Sequence, residues 1–252
     1  GGNTSYKENG VLYVKCSGTS LGTIAADGFV AMDISKLEAQ MKKEYPAEDA
    51  AREAAFLADE MDARCDEDLS KRPSVEALLH GLFPQPYVLH IHPALVNGLT
   101  CGRGAEGLAR KILGEEMIWI PICRPGYTYG NLCREAMDTY REALGKDVQV
   151  VLLQNHGIFI AGETTEEIDA ILADVIGRLE AHVRTAGKEE ITAKLSVLTG
   201  LKAEYLPIRE AEYFVSSHER AQALLKPFTP DHIVYCGAFP LFAKSVEDLE
   251  PA

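Results

Sequence analysis

Residues 148–161, VQVVLLQNHGIFIA, decide the fold of this chain. Two runs of β-branched and other apolar residues flank the turn-forming sequence Gln-Asn-His-Gly at 154–157. An Asn-His-Gly turn between two strands predicts a tight antiparallel connection. His156 is therefore predicted to lie on a rigid turn between two strands.

Further strand-like and helical runs extend from this hairpin along the chain. The strand-like runs are rich in Val, Ile, Leu and Tyr and cover residues 11–16, 29–32, 87–91, 117–122 and, more weakly, 233–236. Helical patterns cover residues 34–45, 50–62, 75–82, 105–113, 131–144 and 165–186. The first two strand-like runs lie close enough to form a second hairpin. Hairpins mixed with helices predict an α+β or α/β layered domain in which helices cover a sheet.

The length and composition favour one main domain. The chain has 252 residues, of which 46% are hydrophobic and 25% are charged, and no linker rich in Pro, Ser and Gly divides it. We place the main domain at residues 1–186. Residues 187–252 combine short helical patterns with prolines and are predicted to form a helical extension packed on the same domain. The sequence opens on Gly-Gly-Asn-Thr-Ser, as if within a motif, so we expect further residues upstream.

The charge and the cysteine content narrow the classes of partner. A formal net charge of −13 argues against nucleic acid, because phosphate backbones are bound by clustered Lys and Arg. It does not exclude a small anionic substrate, since a few local cations and backbone amides can hold one phosphate. Six cysteines without a Cys-x-x-Cys pair predict reduced thiols in a cytoplasmic protein. No apolar run reaches the ~20 residues that span a bilayer, and no signal peptide is visible, so no membrane partner is expected.

The strongest chemical signal is the sequence Leu-His-Ile-His-Pro at 89–93. Residues two apart in a strand point to the same side, so His90 and His92 are predicted to present both imidazoles to one point. Two neutral imidazoles suit zinc, and His156 on its turn is a candidate third ligand. Three protein ligands with an open position are typical of a catalytic zinc. The alternative is a pair of partly buried strand histidines with satisfied hydrogen bonds.

An acidic residue precedes the histidine strand. Glu76 lies at the start of a predicted helix and is a candidate fourth metal ligand or general base. Acidic residues also favour first helical turns because of the helix dipole, so this position alone is a weak indication. His80 lies four positions later on the same helical face, where a buried histidine of the core or beside the site is the favoured interpretation.

Two small, polar, glycine-containing segments are candidate phosphate loops. They are residues 1–5 and 17–20, and such loops expose backbone N–H groups and hydroxyls that can hold a phosphate. Lys15 and Arg72 supply local positive charge. Ordinary turns are an equally good interpretation of the composition.

A third glycine-rich run, Gly-x-Gly-x-x-Gly at 102–107, is not expected to bind a dinucleotide. Such a site requires a strand immediately before the motif and an acidic residue ~20 positions after it. Neither is present here.

The motifs together resemble those of the class II aldolase/adducin family across most of the chain. In family order they are Gly2-Asn3-Thr4-Ser5, Ser17-Gly18, Pro73-Ser74-Val75-Glu76 with His80, His90-Ile91-His92-Pro93 and Asn155-His156-Gly157. Several details, including Gly1-Gly2, Asn97-Gly98 and the run 230–235, are most similar to the aldolase half of bacterial bifunctional rhamnulose-phosphate aldolase/short-chain dehydrogenase proteins. The dehydrogenase half is absent from this sequence.

The resemblance implies a fold, an assembly and a site. The fold would be a three-layer α/β/α domain with a central, mainly antiparallel sheet and helices on both faces. The assembly would be a homotetramer with active sites at subunit interfaces. The metal would be zinc, and its ligands would be His90, His92, His156 and, in the resting state, Glu76, which also serves as catalytic acid and base. The substrate phosphate would be bound by Asn3, Ser17, Gly18 and Ser74, with Lys15 as a nearby cation.

Two positions depart from the family pattern. Val75 stands where some members have a second serine, so the phosphate contact there is reduced. The family's interface tyrosine, which donates a proton to the aldehyde oxygen, has no clean match. Simple alignment places Gly126 there, and Tyr127 is the nearest candidate, with Tyr129 close behind.

The resemblance implies a lyase. The reaction would be zinc-dependent cleavage of a ketose 1-phosphate, such as a rhamnulose or fuculose 1-phosphate, to dihydroxyacetone phosphate and an aldehyde through a metal-stabilised enediolate. A pentulose-phosphate 4-epimerase or a decarboxylase on the same scaffold is the alternative. A non-catalytic, adducin-like assembly domain is disfavoured, because adducin-type domains lack the histidine set.

Overall fold

The computed structural model describes most of the chain up to residue 182. The described residues are 2–66, 68–123, 126–182, 192, 196–197, 200–202, 204, 213 and 216–222. The chain divides into two compact units, Gly1–Arg178 and Leu179–Ala252. The predicted strand at 233–236 and most of the predicted extension over 187–252 lie outside the described residues. The domain boundary after residue 186 and the packing of the extension therefore stay predictions.

A seven-stranded sheet forms the centre of the first unit. Its strands are β1 (Asn3–Glu8), β2 (Val11–Lys15), β3 (Phe29–Asp33), β4 (Tyr87–Ile91), β5 (Ile118–Ile120), β6 (Val150–Leu153) and β7 (Gly157–Gly162). The order across the sheet is β3-β2-β1-β4-β7-β6-β5. Every neighbouring pair is antiparallel except β5 and β6, which are parallel. The mainly antiparallel sheet is thus confirmed.

The hairpin predicted at residues 148–161 is present as β6 and β7. Leu153 pairs with Gly157, and the turn between them places Asn155 at φ 58°, a left-handed conformation that asparagine tolerates. A Cβ atom on Gly157 would lie 2.5 Å from the carbonyl oxygen of Ile91 and 2.6 Å from Cδ2 of His92. Only glycine allows the turn to approach β4 this closely, and that approach brings His156 to the other histidines.

The predicted helices are present, most of them with shifted ends, and residues 183–186 of the last one lie outside the described residues. The helices are α1 (Ile34–Lys42), α2 (Asp49–Asp62), α3 (Ala77–Leu82), α4 (Ala94–Thr100), α5 (Ala105–Leu113), α6 (Tyr127–Leu144), α7 (Thr165–Glu180) and α8 (His218–Ala221), with a 3-10 turn at Ala26–Gly28. The carboxylates of Asp33 and Glu48 accept backbone N–H groups at the starts of α1 and α2. Among the described residues, no helix combines the length and apolar character needed to span a membrane.

One face of the sheet carries buried residues in every strand, and the other is buried at β5, β6 and β7, whereas Tyr13 of β2 is 40% exposed on that face. Val14, Val88 and Phe159 share the face that packs against α1, α2, α3 and α6. Ile158 and Ile160 alternate with Phe159 and point to the opposite face, where they are also fully buried, and α4 contacts β7. The three-layer α/β/α architecture is therefore confirmed.

Candidate active site

Three histidines converge at one end of β4. His90 lies on β4, His92 follows its last residue, and His156 occupies the β6–β7 turn. Their ring centroids lie 4.7 to 4.9 Å apart, and one ligand nitrogen from each lies within 4.8 Å of the others. The structure thus places together the three side chains that the strand alternation and the turn predicted.

Two residues outside the histidine cluster, Phe159 and Ile158, set the orientation of the His90 ring. Its ring is fully buried and stacks on Phe159 at a centroid distance of 4.2 Å. Its Nδ1 atom lies 3.0 Å from the carbonyl oxygen of Ile158. A carbonyl only accepts, so Nδ1 carries the proton and the Nε2 lone pair faces the cluster, 2.9 Å from Nε2 of His92. This is the tautomer that a metal-binding imidazole requires.

Glu76 completes the cluster. It is the residue before α3, but its carboxylate does not cap that helix. Its Oε1 atom instead lies 3.3 Å from Nε2 of His90 and 3.3 Å from Nε2 of His156. Oε1 is buried and receives no hydrogen bond from the described residues, whereas Oε2 accepts one from Asn3 Nδ2 at 2.6 Å.

The four groups fit a divalent metal ion. Three imidazole nitrogens and one carboxylate oxygen that lacks a hydrogen-bond donor are a donor set that zinc prefers. A buried carboxylate oxygen without a donor is costly in a protein interior, and a cation would satisfy it. Among the described residues, His90, His92 and His156 form a group whose ligand atoms are close enough together to hold one metal ion.

Of the predicted phosphate-binding residues, Asn3 and Ser74 contact Glu76 directly. Ser74 Oγ accepts a hydrogen bond from Asn3 Nδ2 at 2.8 Å, and the Ser17 backbone N–H donates to the carbonyl of Arg72 at 2.9 Å. The segments around residues 16–18 and 72–74 therefore run side by side. Ser17 and Gly18 are exposed, and Gly18 has φ +84°, a conformation that favours glycine.

The side chain of Lys15 does not join the other predicted phosphate-binding residues. Lys15 is buried, and its Nζ atom donates to the carbonyl of Cys16 at 3.0 Å. Burial lowers the pKa of the Lys15 ammonium. Its backbone carbonyl, by contrast, accepts the N–H of Ser74 at 3.0 Å and so helps to fix the loop.

Tyr127 also lies apart from the histidines. Its ring is 4.9 Å from the ring of Tyr45 and 5.8 Å from that of Phe56, in an aromatic cluster with α2. Within this chain, the structure therefore does not bring Tyr127 to the cluster that it was predicted to serve.

Tyr129, two residues further along α6, is the tyrosine beside the cluster. It is buried, and its ring centroid lies 6.3 Å from that of His156. Burial raises the pKa of the Tyr129 phenol, as do the nearby groups of Cys133 and Glu76. Helical spacing in the sequence could have identified Tyr129 as a buried residue, because the buried face of α6 includes Tyr129, Cys133, Met137 and Tyr140.

Comparisons with known proteins show the family to which this chain is similar. The family described as "Class II Aldolase and Adducin N-terminal domain" matches residues 1–173. "Uncharacterized oxidoreductase YuxG" of Bacillus subtilis (strain 168) is 27% identical over 192 residues, which are 73% of this chain and 26% of that protein. The chain therefore spans about a quarter of the length of this curated relative.

A solved structure shows the same fold. The "N-terminal Class II Aldolase domain of a conserved protein from Thermoplasma acidophilum" is 28% identical and superposes with a TM-score of 0.60, covering 73% of this chain and 84% of that one. A structure named "L-fuculose 1-phosphate aldolase" is 16% identical with a TM-score of 0.47, covering 89% of this chain and 85% of that one.

Proposed function

The chain belongs to the class II aldolase and adducin family, and from that premise we propose that it is a zinc-dependent aldolase. Its substrate would be a ketose 1-phosphate of the rhamnulose or fuculose type, cleaved to dihydroxyacetone phosphate and an aldehyde. The observation that carries the proposal is the convergence of Glu76 Oε1 with Nε2 of His90 and His156 at 3.3 Å. A domain used only for assembly has no need of a buried carboxylate held against imidazole nitrogens.

The cluster supplies the chemistry of carbon–carbon cleavage. A divalent cation held by the three histidines and Glu76 would supply a Lewis acid that stabilises the negative charge of the enediolate. As the C3–C4 bond breaks, a tyrosine or water would take the proton of the C4 hydroxyl, which becomes the aldehyde oxygen, and Glu76 would deliver a proton to the enediolate carbon. Its Oε1 is free of hydrogen-bond donors among the described residues, while Asn3 holds Oε2.

The residues beside Glu76 suit a phosphate group. Ser17 offers an exposed hydroxyl and Gly18 an exposed backbone, while Ser74 is hydrogen-bonded to Asn3. Lys15, being engaged by the carbonyl of Cys16, is proposed to support this loop and not to contact the phosphate directly. No lysine is needed for a Schiff base in this mechanism.

A cleavage assay tests the proposal. Purified chain with zinc is incubated with rhamnulose 1-phosphate or fuculose 1-phosphate, and free dihydroxyacetone phosphate is measured with and without a chelator. We expect metal-dependent release. Glu76→Gln should lower kcat about 10²–10⁴-fold, the usual contribution of a general acid or base. Glu38→Gln, at an exposed position of α1, is the matched control.

Four results would contradict or redirect this assignment. Full activity of Glu76→Gln would remove its assigned role. A lysine adduct trapped by borohydride in the presence of substrate would exclude the mechanism. Interconversion of pentulose phosphates without free dihydroxyacetone phosphate would indicate the 4-epimerase, and release of carbon dioxide from a substrate acid would indicate a decarboxylase.

The assembly is part of the proposal. The family resemblance implies a homotetramer with active sites at its interfaces, where Tyr127 of a second copy would exchange the proton of the aldehyde oxygen; Tyr129, beside His156 in the same chain, is the alternative. Light scattering should give about four times the 27.5 kDa mass of the chain. A monomer with full activity would contradict an interface site.

A further inference from the structure

A row of buried polar side chains lies behind Glu76. Asn3 and Ser5 share one face of β1, because residues two apart in a strand point the same way. His80 of α3 covers both and is fully buried, and Asn3 and Ser5 are almost as inaccessible. The Nδ1 atom of His80 lies 2.7 Å from Ser5 Oγ, and its Nε2 atom is hydrogen-bonded to Asn3 Oδ1.

The hydrogen bonds of this row run in one direction. Glu76 Oε2 is held by Asn3 Nδ2, so the other end of the Asn3 amide, Oδ1, faces His80. An amide oxygen only accepts, so His80 Nε2 carries the proton. A neutral imidazole has one N–H, and His80 Nδ1 must therefore accept from the hydroxyl of Ser5. Burial, above all, lowers the pKa of His80 well below its usual value, and the neighbouring His90 and Lys7 lower it further, which keeps the ring neutral.

Both hydrogens of the Asn3 amide are used at the site. One is donated to Glu76 Oε2 at 2.6 Å and the other to Ser74 Oγ at 2.8 Å. Ser74 Oγ also faces the backbone N–H of Glu76 at 3.3 Å. Ser74 Oγ accepts in both of these contacts, and no described contact gives its own hydrogen an acceptor. That hydrogen can therefore be donated to a substrate oxygen.

The carboxylate of Glu76 disfavours the opposite orientation of the Asn3 amide. A rotation by about 180° would put Oδ1 against Glu76 Oε2, pairing two acceptors, and would require the other tautomer of His80, with Nε2 accepting and Nδ1 donating to Ser5. Glu76 thus selects the amide orientation, and the Nε2 hydrogen of His80 holds it from the other end.

We propose that His80, oriented by Ser5, is a positioning residue that fixes the Asn3 amide and, through it, the carboxylate of Glu76 and the hydroxyl of Ser74. The proposal rests on the function proposed above for Glu76 and Ser74. The contact between His80 and Asn3 thus orients two groups: Glu76 keeps Oε1 directed at the histidines, and Ser74 keeps its hydrogen directed outward.

Nitrogen-15 NMR of the full chain tests the direction of the row. At neutral pH, His80 should be a neutral ring protonated at Nε2. A ring protonated at Nδ1, or at both nitrogens, would overturn the proposal. Neither outcome depends on any enzymatic activity.

Substitutions test the effect on Asn3. His80→Leu removes the N–H, whereas His80→Gln keeps a donor near the position of Nε2. We expect His80→Leu to speed hydrogen exchange of the Asn3 side-chain amide by about tenfold or more, and His80→Gln to stay within about threefold of the wild type. Leu79→Val, a buried change on the same helix outside the row, controls for lost packing.

In the cleavage assay, His80→Leu should lower kcat about 10–100-fold and His80→Gln should restore most of it. An unchanged Asn3 exchange rate in His80→Leu, or an equal change in Leu79→Val, would overturn the positioning role. A protein with the expected Asn3 behaviour that releases no dihydroxyacetone phosphate would instead contradict the proposed reaction alone.

Discussion

At the residue scale, the main groups of the site are oriented by partners outside the cluster. The carbonyl of Ile158 sets the His90 ring, and Asn3 holds one oxygen of Glu76. Such contacts form with the fold itself, so the site is arranged before any ligand arrives, which lowers the cost of binding.

Glu60 is a buried carboxyl group that the proposed reaction does not use. It lies on α2, faces the backbone N–H of Leu78 at the start of α3, and has one oxygen without a hydrogen-bond partner among the described residues. Burial raises the pKa of the Glu60 carboxyl to about 8, against an ordinary value of 4.5.

The raised pKa of Glu60 predicts a pH-dependent stability. The folded chain keeps a proton on Glu60 that the unfolded chain has lost, so this contribution is complete below pH 4.5 and declines as the pH rises to about 8. The slope should approach about 1.4 kcal/mol per pH unit in this window. Urea unfolding of the wild type and of Glu60→Gln, followed between pH 5 and 8, measures it. Parallel curves for the two proteins would contradict the prediction.

At the element scale, the β6–β7 turn determines whether the third histidine reaches the other two. Gly157 packs so tightly on β4 that a methyl group would meet Ile91 and His92. The turn must move to accept a side chain there, and His156 moves with it.

Gly157→Ala should therefore weaken zinc binding. We expect a loss of at least about tenfold in affinity, because a ligand would be displaced from its position. Gly98→Ala in α4 is the control, since a Cβ atom there meets nothing within 4 Å and alanine favours a helix. Calorimetric titration with zinc measures both, and equal affinities would refute the role of the turn.

The elements that the sequence did not predict have physical explanations. β1 is a central strand, yet Asn3 and Ser5 are polar where such a strand is usually apolar, because they belong to the site. α4 has only seven residues, too few for a clear helical period. Motif order identified the histidines, Glu76 and the phosphate loops, but the packing of Tyr127 depends on tertiary contacts with Tyr45 and Phe56 that no local pattern contains.

At the scale of the whole molecule, the candidate metal site joins distant parts of the chain. Glu76 precedes α3, His90 and His92 lie at β4, and His156 lies on the β6–β7 turn. A ligand that binds all of them only in the folded state stabilises that state by mass action.

Zinc should consequently raise the melting temperature. At a free concentration 100 times its Kd, the stabilisation should be about 2.7 kcal/mol, which corresponds to several degrees in thermal unfolding. Adding a chelator should reverse the rise. His92→Ala, which keeps the other groups, should show a much smaller shift, and an equal shift in this variant would place the bound zinc elsewhere.

The most direct test of the metal site is its stoichiometry. Equilibrium dialysis against zinc, followed by elemental analysis, should give one zinc per wild-type chain. The same measurement should give almost none when His90, His92 and His156 are all replaced by alanine in a chain whose circular dichroism shows it to be folded. A wild-type chain that retains no zinc, or an unchanged ratio in the triple variant, would contradict the account.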